Sequence, residues 1–128
     1  MSTVLRTVIA DDPLRHTVWT VPVLSLDDAI LVLNKPAGLP VIPERWHPER
    51  LCLHGLMSDD FKRQLWVVHR LDAGTSGLLL FATSASSHRT LCQQFTAHTV
   101  EKTYLAIVAG IPPQDQLVVN RSIAPDPK

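Results

Sequence analysis

Within one short stretch, His69-Arg70-Leu71-Asp72-Ala73-Gly74-Thr75-Ser76-Gly77, the chain gathers an imidazole, a guanidinium, a carboxylate and two hydroxyls. Arg70 and Asp72 are two residues apart, so an extended backbone points both side chains the same way. A guanidinium in that position keeps the carboxylate ionised. Gly74 and Gly77 permit positive φ or close backbone approach, and Thr75 and Ser76 can hydrogen-bond nearby backbone and fix a turn. The same residues also suit a surface loop with a structural Arg–Asp pair, which contributes little to stability.

The flanking elements would make the loop rigid. Leu65-Trp66-Val67-Val68 precedes the loop and Leu78-Leu79-Leu80-Phe81-Ala82 follows it. Both runs are short, apolar and bounded by turn residues, so both read as buried strands. A polar loop held between two buried strands is a rigid mount for chemistry.

Upstream, residues 1–17 show no strong period and read as a lead-in or an edge element. Residues 18–24 are rich in β-branched side chains, and Pro22 confines them to an edge strand or a strand end. Ala29-Ile30-Leu31-Val32-Leu33 reads as a buried strand. Residues 34–43 hold three prolines and one glycine and predict a stiff loop. Residues 48–64 predict a helix opened by Pro48, with Leu53, Leu56, Met57, Phe61 and Leu65 on one face. Downstream, residues 78–83 predict a strand, and a helix capped by Ser84 or Ser86 runs to about His98. Leu91, Cys92 and Phe95 form its packing face. Residues 99–110 alternate as a strand that sets Lys102, Tyr104, Ala106 and Val108 on one side, and residues 116–123 read as a further strand. On this layout Tyr104 could bring a ring and a hydroxyl beside Asp72; a core tyrosine with a satisfied hydroxyl has the same spacing.

Composition bounds the partners. The 128 residues suit one domain, 45% of them are apolar, and 12 basic residues balance 12 acidic ones. A neutral total argues against binding nucleic acid mainly through a broad phosphate-contacting face. Local basic groups remain: Arg45, His47 and Arg50; Lys62 and Arg63; His88 and Arg89. Each is also compatible with an ordinary solvated surface. Cys52 and Cys92 sit in no disulfide or zinc spacing, and His47, Cys52 and His54 match no common zinc pattern, so no metal site is expected. No signal peptide and no apolar run long enough for a membrane span is visible. The expectation is a soluble, cytoplasmic protein with reduced thiols.

The motif His69-Arg70-Leu71-Asp72-x-x-Thr75-Ser76-Gly77 resembles the signature of the RluA-type RNA pseudouridine synthases. Leu33-Asn34-Lys35-Pro36-Ala37-Gly38-Leu39-Pro40-Val41 and Glu101-Lys102-Thr103-Tyr104-Leu105-Ala106 resemble further stretches of that family, in the same order. The likeness runs from about residue 24 to the end. It implies an α+β fold with a mixed, largely antiparallel sheet and helices packed on it, resembling the pseudouridine synthase catalytic fold, C-terminally incomplete. Residues 1–17 would then be a lead-in and residues 18–128 a partial catalytic domain.

The resemblance also implies an activity, the isomerisation of uridine in rRNA or tRNA without cofactor or metal. Asp72 would be the catalytic carboxylate and Tyr104 would touch the target base and help move a proton. Arg70 would engage RNA as the uridine leaves the stack, and Lys35 would shape the floor of the site; spacing alone allows Lys35 merely to solvate a strand end. His69, Thr75, Ser76 and Lys102 complete the expected RNA-contacting set. The family's further Arg-Thr-His-Gln-Ile-Arg-like string is absent. That departure favours a fragment or truncated form, with an exposed sheet edge that invites self-association. The alternative readings are a non-catalytic RNA-binding or interaction module on the same scaffold, and a metabolic enzyme using Arg70 and Asp72 on a small molecule.

Overall fold

Alternating aliphatic and β-branched residues in the first third of the chain pair into successive hairpins. In the computed structural model, which describes residues 4–124, β1 (Arg6–Asp12), β2 (Thr17–Leu26), β3 (Ile30–Lys35), β4 (Trp66–Val67) and β5 (Gly77–Ala82) form one antiparallel sheet. Their order is β1-β2-β3-β5-β4. With helices α1 (Leu53–Phe61) and α2 (Ala85–Thr96) the fold is α+β.

One face of the sheet carries the core. Val21, Val23, Leu31, Leu33, Leu79 and Phe81 point to it at every second position and are buried, as the two-residue period of a strand requires. Leu53 and Met57 of α1, one helical turn apart, close over them. The intervening residues Val32, Leu78 and Leu80 face the other way and line a cavity with Phe95 of α2. Helix α2 begins with a capping box between Ser84 and Ser87, in which each side chain bonds the other's backbone N–H.

Several elements differ from the sequence reading. Of the two readings of residues 1–17, the edge element is the one formed: residues 6–12 pair along their length with residues 17–23 as the outermost strand. β2 is therefore an interior strand. It tolerates Pro22 because its register with β3 begins only at Val23, beyond the missing N–H.

The first helix starts at Leu53 rather than near Pro48. The amides of Leu53 and His54 donate to the carbonyls of Pro40 (2.8 Å) and Val41 (2.9 Å), so the preceding loop caps the helix. Residues 44–50 instead close two tight turns, with His47 N–H on Glu44 O and Arg50 N–H on His47 O.

The expected strands over residues 99–110 and 116–123 are not formed. A strand needs a ladder partner. On that side the sheet ends at β4, which offers only two residues. Leu105 and Ile107 stand fully exposed.

For function, the register of β3 with β5 matters most. Lys35 pairs with Gly77, so the loop leaving β3 and the loop entering β5 emerge side by side at one end of the sheet.

Candidate active site

These two loops are fastened to each other by a buried lysine. Lys35 has no solvent exposure, which overturns a strand-end role in solvent. Its ammonium donates to the carbonyls of Pro36 (2.9 Å), Leu39 (2.7 Å) and Ala73 (3.0 Å). Ala73 O also accepts the Gly38 N–H at 2.7 Å, and Thr75 N–H closes a turn on Asp72 O at 3.0 Å. Gly38 lies at φ +93°, and a Cβ there would meet the Trp19 ring at 3.1 Å, so only glycine fits that junction comfortably. Burial pulls the Lys35 pKa down, while the charge of Asp72 opposes that shift.

The clasp fixes the stretch that bears Arg70, Leu71 and Asp72. Leu71 is buried and the two charged residues are exposed, as alternation along extended backbone dictates. Arg70 and Asp72 both line a cleft of about 570 Å³, with Pro40, Pro43 and Arg45 opposite. Among the described residues they form no ion pair with each other. The buried ammonium of Lys35 feels the charge of Asp72.

The opposite wall of the cleft is held from a distance. Arg15 bonds Asp12 (2.7 Å), Glu44 (2.7 Å) and the carbonyl of Leu51 (3.2 Å). Asp12 is buried and also accepts the Trp19 indole N–H at 3.1 Å. That indole bond, with help from Arg15, holds the Asp12 carboxyl below the usual range. The β1–β2 hairpin thereby anchors residues 44–51. Sequence reading missed Arg15 and Asp12, because nothing local couples Arg15 to residues 29 and 36 positions away.

A second cavity, about 670 Å³, lies on the other side of Leu71. His69, Thr75, Ser76, Lys102 and Tyr104 line it. His69 Nε2 accepts the Leu80 N–H at 3.2 Å, so the ring is neutral with its proton on Nδ1. The ring stacks on Phe95 at 4.8 Å and ties α2 to the loop. Burial, reinforced by the charge of Lys102, lowers the His69 pKa. Lys102 itself stands over Phe95 at 5.9 Å.

The fold thus gathers Arg70 and Asp72 in one cleft and His69, Thr75, Ser76, Lys102 and Tyr104 in the next. Asp72 and Tyr104 do not share a cavity. Tyr104 is 58% exposed on a segment without strand partners, so no ladder mounts it beside the carboxylate. The described residues gather no group of three or more His, Cys, Asp or Glu side chains able to hold a metal. None of their helices is long and apolar enough to cross a membrane.

The sequence model of the family described as RNA pseudouridylate synthase matches residues 29–128. The tRNA pseudouridine synthase C of Haemophilus ducreyi is 40% identical over 90 residues, covering 69% of this chain and 37% of that protein. The ribosomal large subunit pseudouridine synthase D of Xanthomonas campestris is 38% identical over 92 residues, covering 69% of this chain and 28% of that one. Among solved structures, human RNA pseudouridylate synthase domain containing 4 aligns with a TM-score of 0.48 and 28% identity, over 60% of this chain and 30% of that chain. The chain spans less than half the length of these curated relatives.

Proposed function

The chain belongs to the RNA pseudouridylate synthase family, and on that premise we propose that it isomerises uridine to pseudouridine in tRNA or rRNA in the cytoplasm, with Asp72 as the reacting carboxylate. The observation that carries this reading is the clasp: an exposed Asp72 rises from backbone pinned by Lys35 and Gly38, at the mouth of a cleft flanked by Arg45 and Arg70. Pre-organised charge of this kind is what a bond-breaking step at a sugar carbon requires.

The reaction is an internal exchange. The bond from C1′ to N1 breaks and the base turns. A bond from C1′ to C5 forms, the C5 proton leaves to solvent, and N1 takes up a proton. Asp72 serves this chemistry either by adding to C1′ as a nucleophile or by removing the C2′ proton as a base. Lys35 acts as a positioning residue. Arg70 fills the space the uridine leaves, and His69, Thr75, Ser76 and Lys102 line the approach of the RNA. The ring of Tyr104 supplies an aromatic wall for the flipped base when RNA draws residues 102–105 towards Asp72.

The test is tritium release from RNA labelled at uridine C5. The chain releases tritium, and Asp72→Asn lowers the rate by about 10²- to 10⁴-fold while RNA affinity stays within a few fold. The placement of Asp72 and Tyr104 on separate cavities favours a second reading, a non-catalytic RNA-binding module. RNA retention with no release from the wild-type chain would establish that reading instead.

A further inference from the structure

The most exposed aromatic side chain among the described residues is not Tyr104 but Trp46, at 79% exposure. It sits next to Arg45, which lines the Asp72 cleft. One exposed apolar ring is ordinary on a protein surface, but this one is mounted rather than dangling. Its turn is closed by the Glu44–His47 bridge and by Arg50 N–H on His47 O. Arg15 grips the turn on both sides, at Glu44 and at Leu51 O. A ring on so stiff a support surrenders little freedom when a ligand stacks on it.

The charges around Trp46 say what that ligand is. The Arg45 guanidinium lies 5.0 Å from the ring centroid and stacks on one face. Glu44, the acid beside them, is taken up by Arg15 at 2.7 Å and approached by Arg50 at 3.9 Å. Arg45 and Arg70, both on the cleft wall, have no carboxylate within ion-pair distance among the described residues. An electron-rich ring backed by one of these unpaired guanidinium groups, with the other on the same cleft rim, suits a base with its phosphate better than an apolar protein surface.

We propose that Trp46 is a stacking platform for an unpaired base of the RNA, close to the uridine presented to Asp72, with Arg45 bracing the ring and holding the neighbouring phosphate. This rests on the reading of the chain as an RNA-acting protein. It adds a contact that selects single-stranded or looped RNA over duplex, because a base inside a duplex has both faces covered by its stacked neighbours.

The test uses the full chain and a uridine- and adenosine-containing single-stranded RNA of about ten nucleotides. Trp46→Ala weakens binding by about 5- to 150-fold, whereas Trp46→Phe, which keeps a ring, stays within about threefold of the wild type. Trp19 is buried and Trp66 half-buried, so Trp46 dominates the long-wavelength emission. RNA quenches that emission in the wild type and leaves the emission of Trp46→Phe unchanged. Wild-type binding with equal affinity in Trp46→Ala, or without quenching, overturns the platform and leaves the synthase reading standing. Absence of RNA binding by the wild type overturns both. Unchanged far-ultraviolet circular dichroism shows that Trp46→Ala still folds, as expected for a side chain so exposed.

Discussion

Methionine at position 35 separates the two jobs of the buried lysine, filling space and fastening loops. Lys35→Met keeps the length and most of the volume of the side chain and deletes the ammonium. Ala73 O retains the Gly38 N–H at 2.7 Å, but Pro36 O and Leu39 O lose the Lys35 donor. A buried acceptor left alone costs about 1–3 kcal/mol, so the buried Leu39 O together with the part-buried Pro36 O costs roughly 1–5 kcal/mol. Against this, an ammonium with no solvent exposure carries a desolvation penalty of several kcal/mol, which methionine does not. The two effects largely cancel. Urea unfolding should show a net loss of roughly 0–3 kcal/mol, and the protein stays folded.

The local consequence is larger than the global one. Without the ammonium, the turn from Asp72 to Thr75 hangs on the Gly38 bond alone. Hydrogen exchange at the Gly38 and Thr75 amides should accelerate at least tenfold, while the amides of β3 and β5 keep their protection. On the proposed chemistry, tritium release falls by about 10²-fold, because a displacement near 1 Å is enough to cost that much. Unchanged exchange at Gly38 and Thr75 in a folded Lys35→Met protein would refute the clasp, whatever happens to the rate.

Two further outcomes concern His69 and the end of α1. His69 has a folded-state pKa below its ordinary value near 6.5, so the unfolded chain takes up the proton first as pH falls. Its contribution to stability is therefore complete above about 6.5 and declines as pH drops from there towards the lowered folded value. Urea denaturation at paired pH values should show this slope in the wild type and a shallower one in His69→Gln, which cannot titrate; equal slopes would show that the Leu80 amide does not hold the ring neutral. Lys62 closes α1 in the left-handed region at φ 51°, where a Cβ is unfavourable. Lys62→Gly should raise stability by about 0.5–1 kcal/mol, read as a higher melting temperature.

The motif from His69 to Gly77 was legible because its geometry is local. Alternation alone places Arg70 and Asp72 on one side of buried Leu71, and the apolar runs beside them became β4 and β5. The sheet's interior was legible for the same reason, since the core residues of β2, β3 and β5 follow a period of two. What sequence could not supply were donors and acceptors brought together from afar. The start of α1 is set by carbonyls of Pro40 and Val41, so the Pro48 signal lost to a tertiary cap. The role of Lys35 depends on Ala73, 38 residues away. Residues 102–109 have a strand's alternation, but on the β4 side of the sheet the edge is two residues long, and pattern without a partner does not make a strand.

That last difference bears directly on mechanism. The acid half of the site is fixed before any ligand arrives, by hydrogen bonds that converge on Ala73 O. The aromatic half rides on a segment whose side chains from Leu105 to Ala124 face water. If both halves act on one base, the binding of RNA must order residues 102–105, and the ordering cost is drawn from the affinity for RNA. A pinned ring at Trp46 answers that need, because it supplies affinity from a loop already held in place by Arg15. On this reasoning Trp46→Ala impairs the encounter with RNA, while Tyr104→Phe leaves the encounter intact and slows only the isomerisation. A Tyr104→Phe protein that lost RNA affinity as severely as Trp46→Ala would mean that the two rings bind together and that the acid half does not wait for the aromatic one.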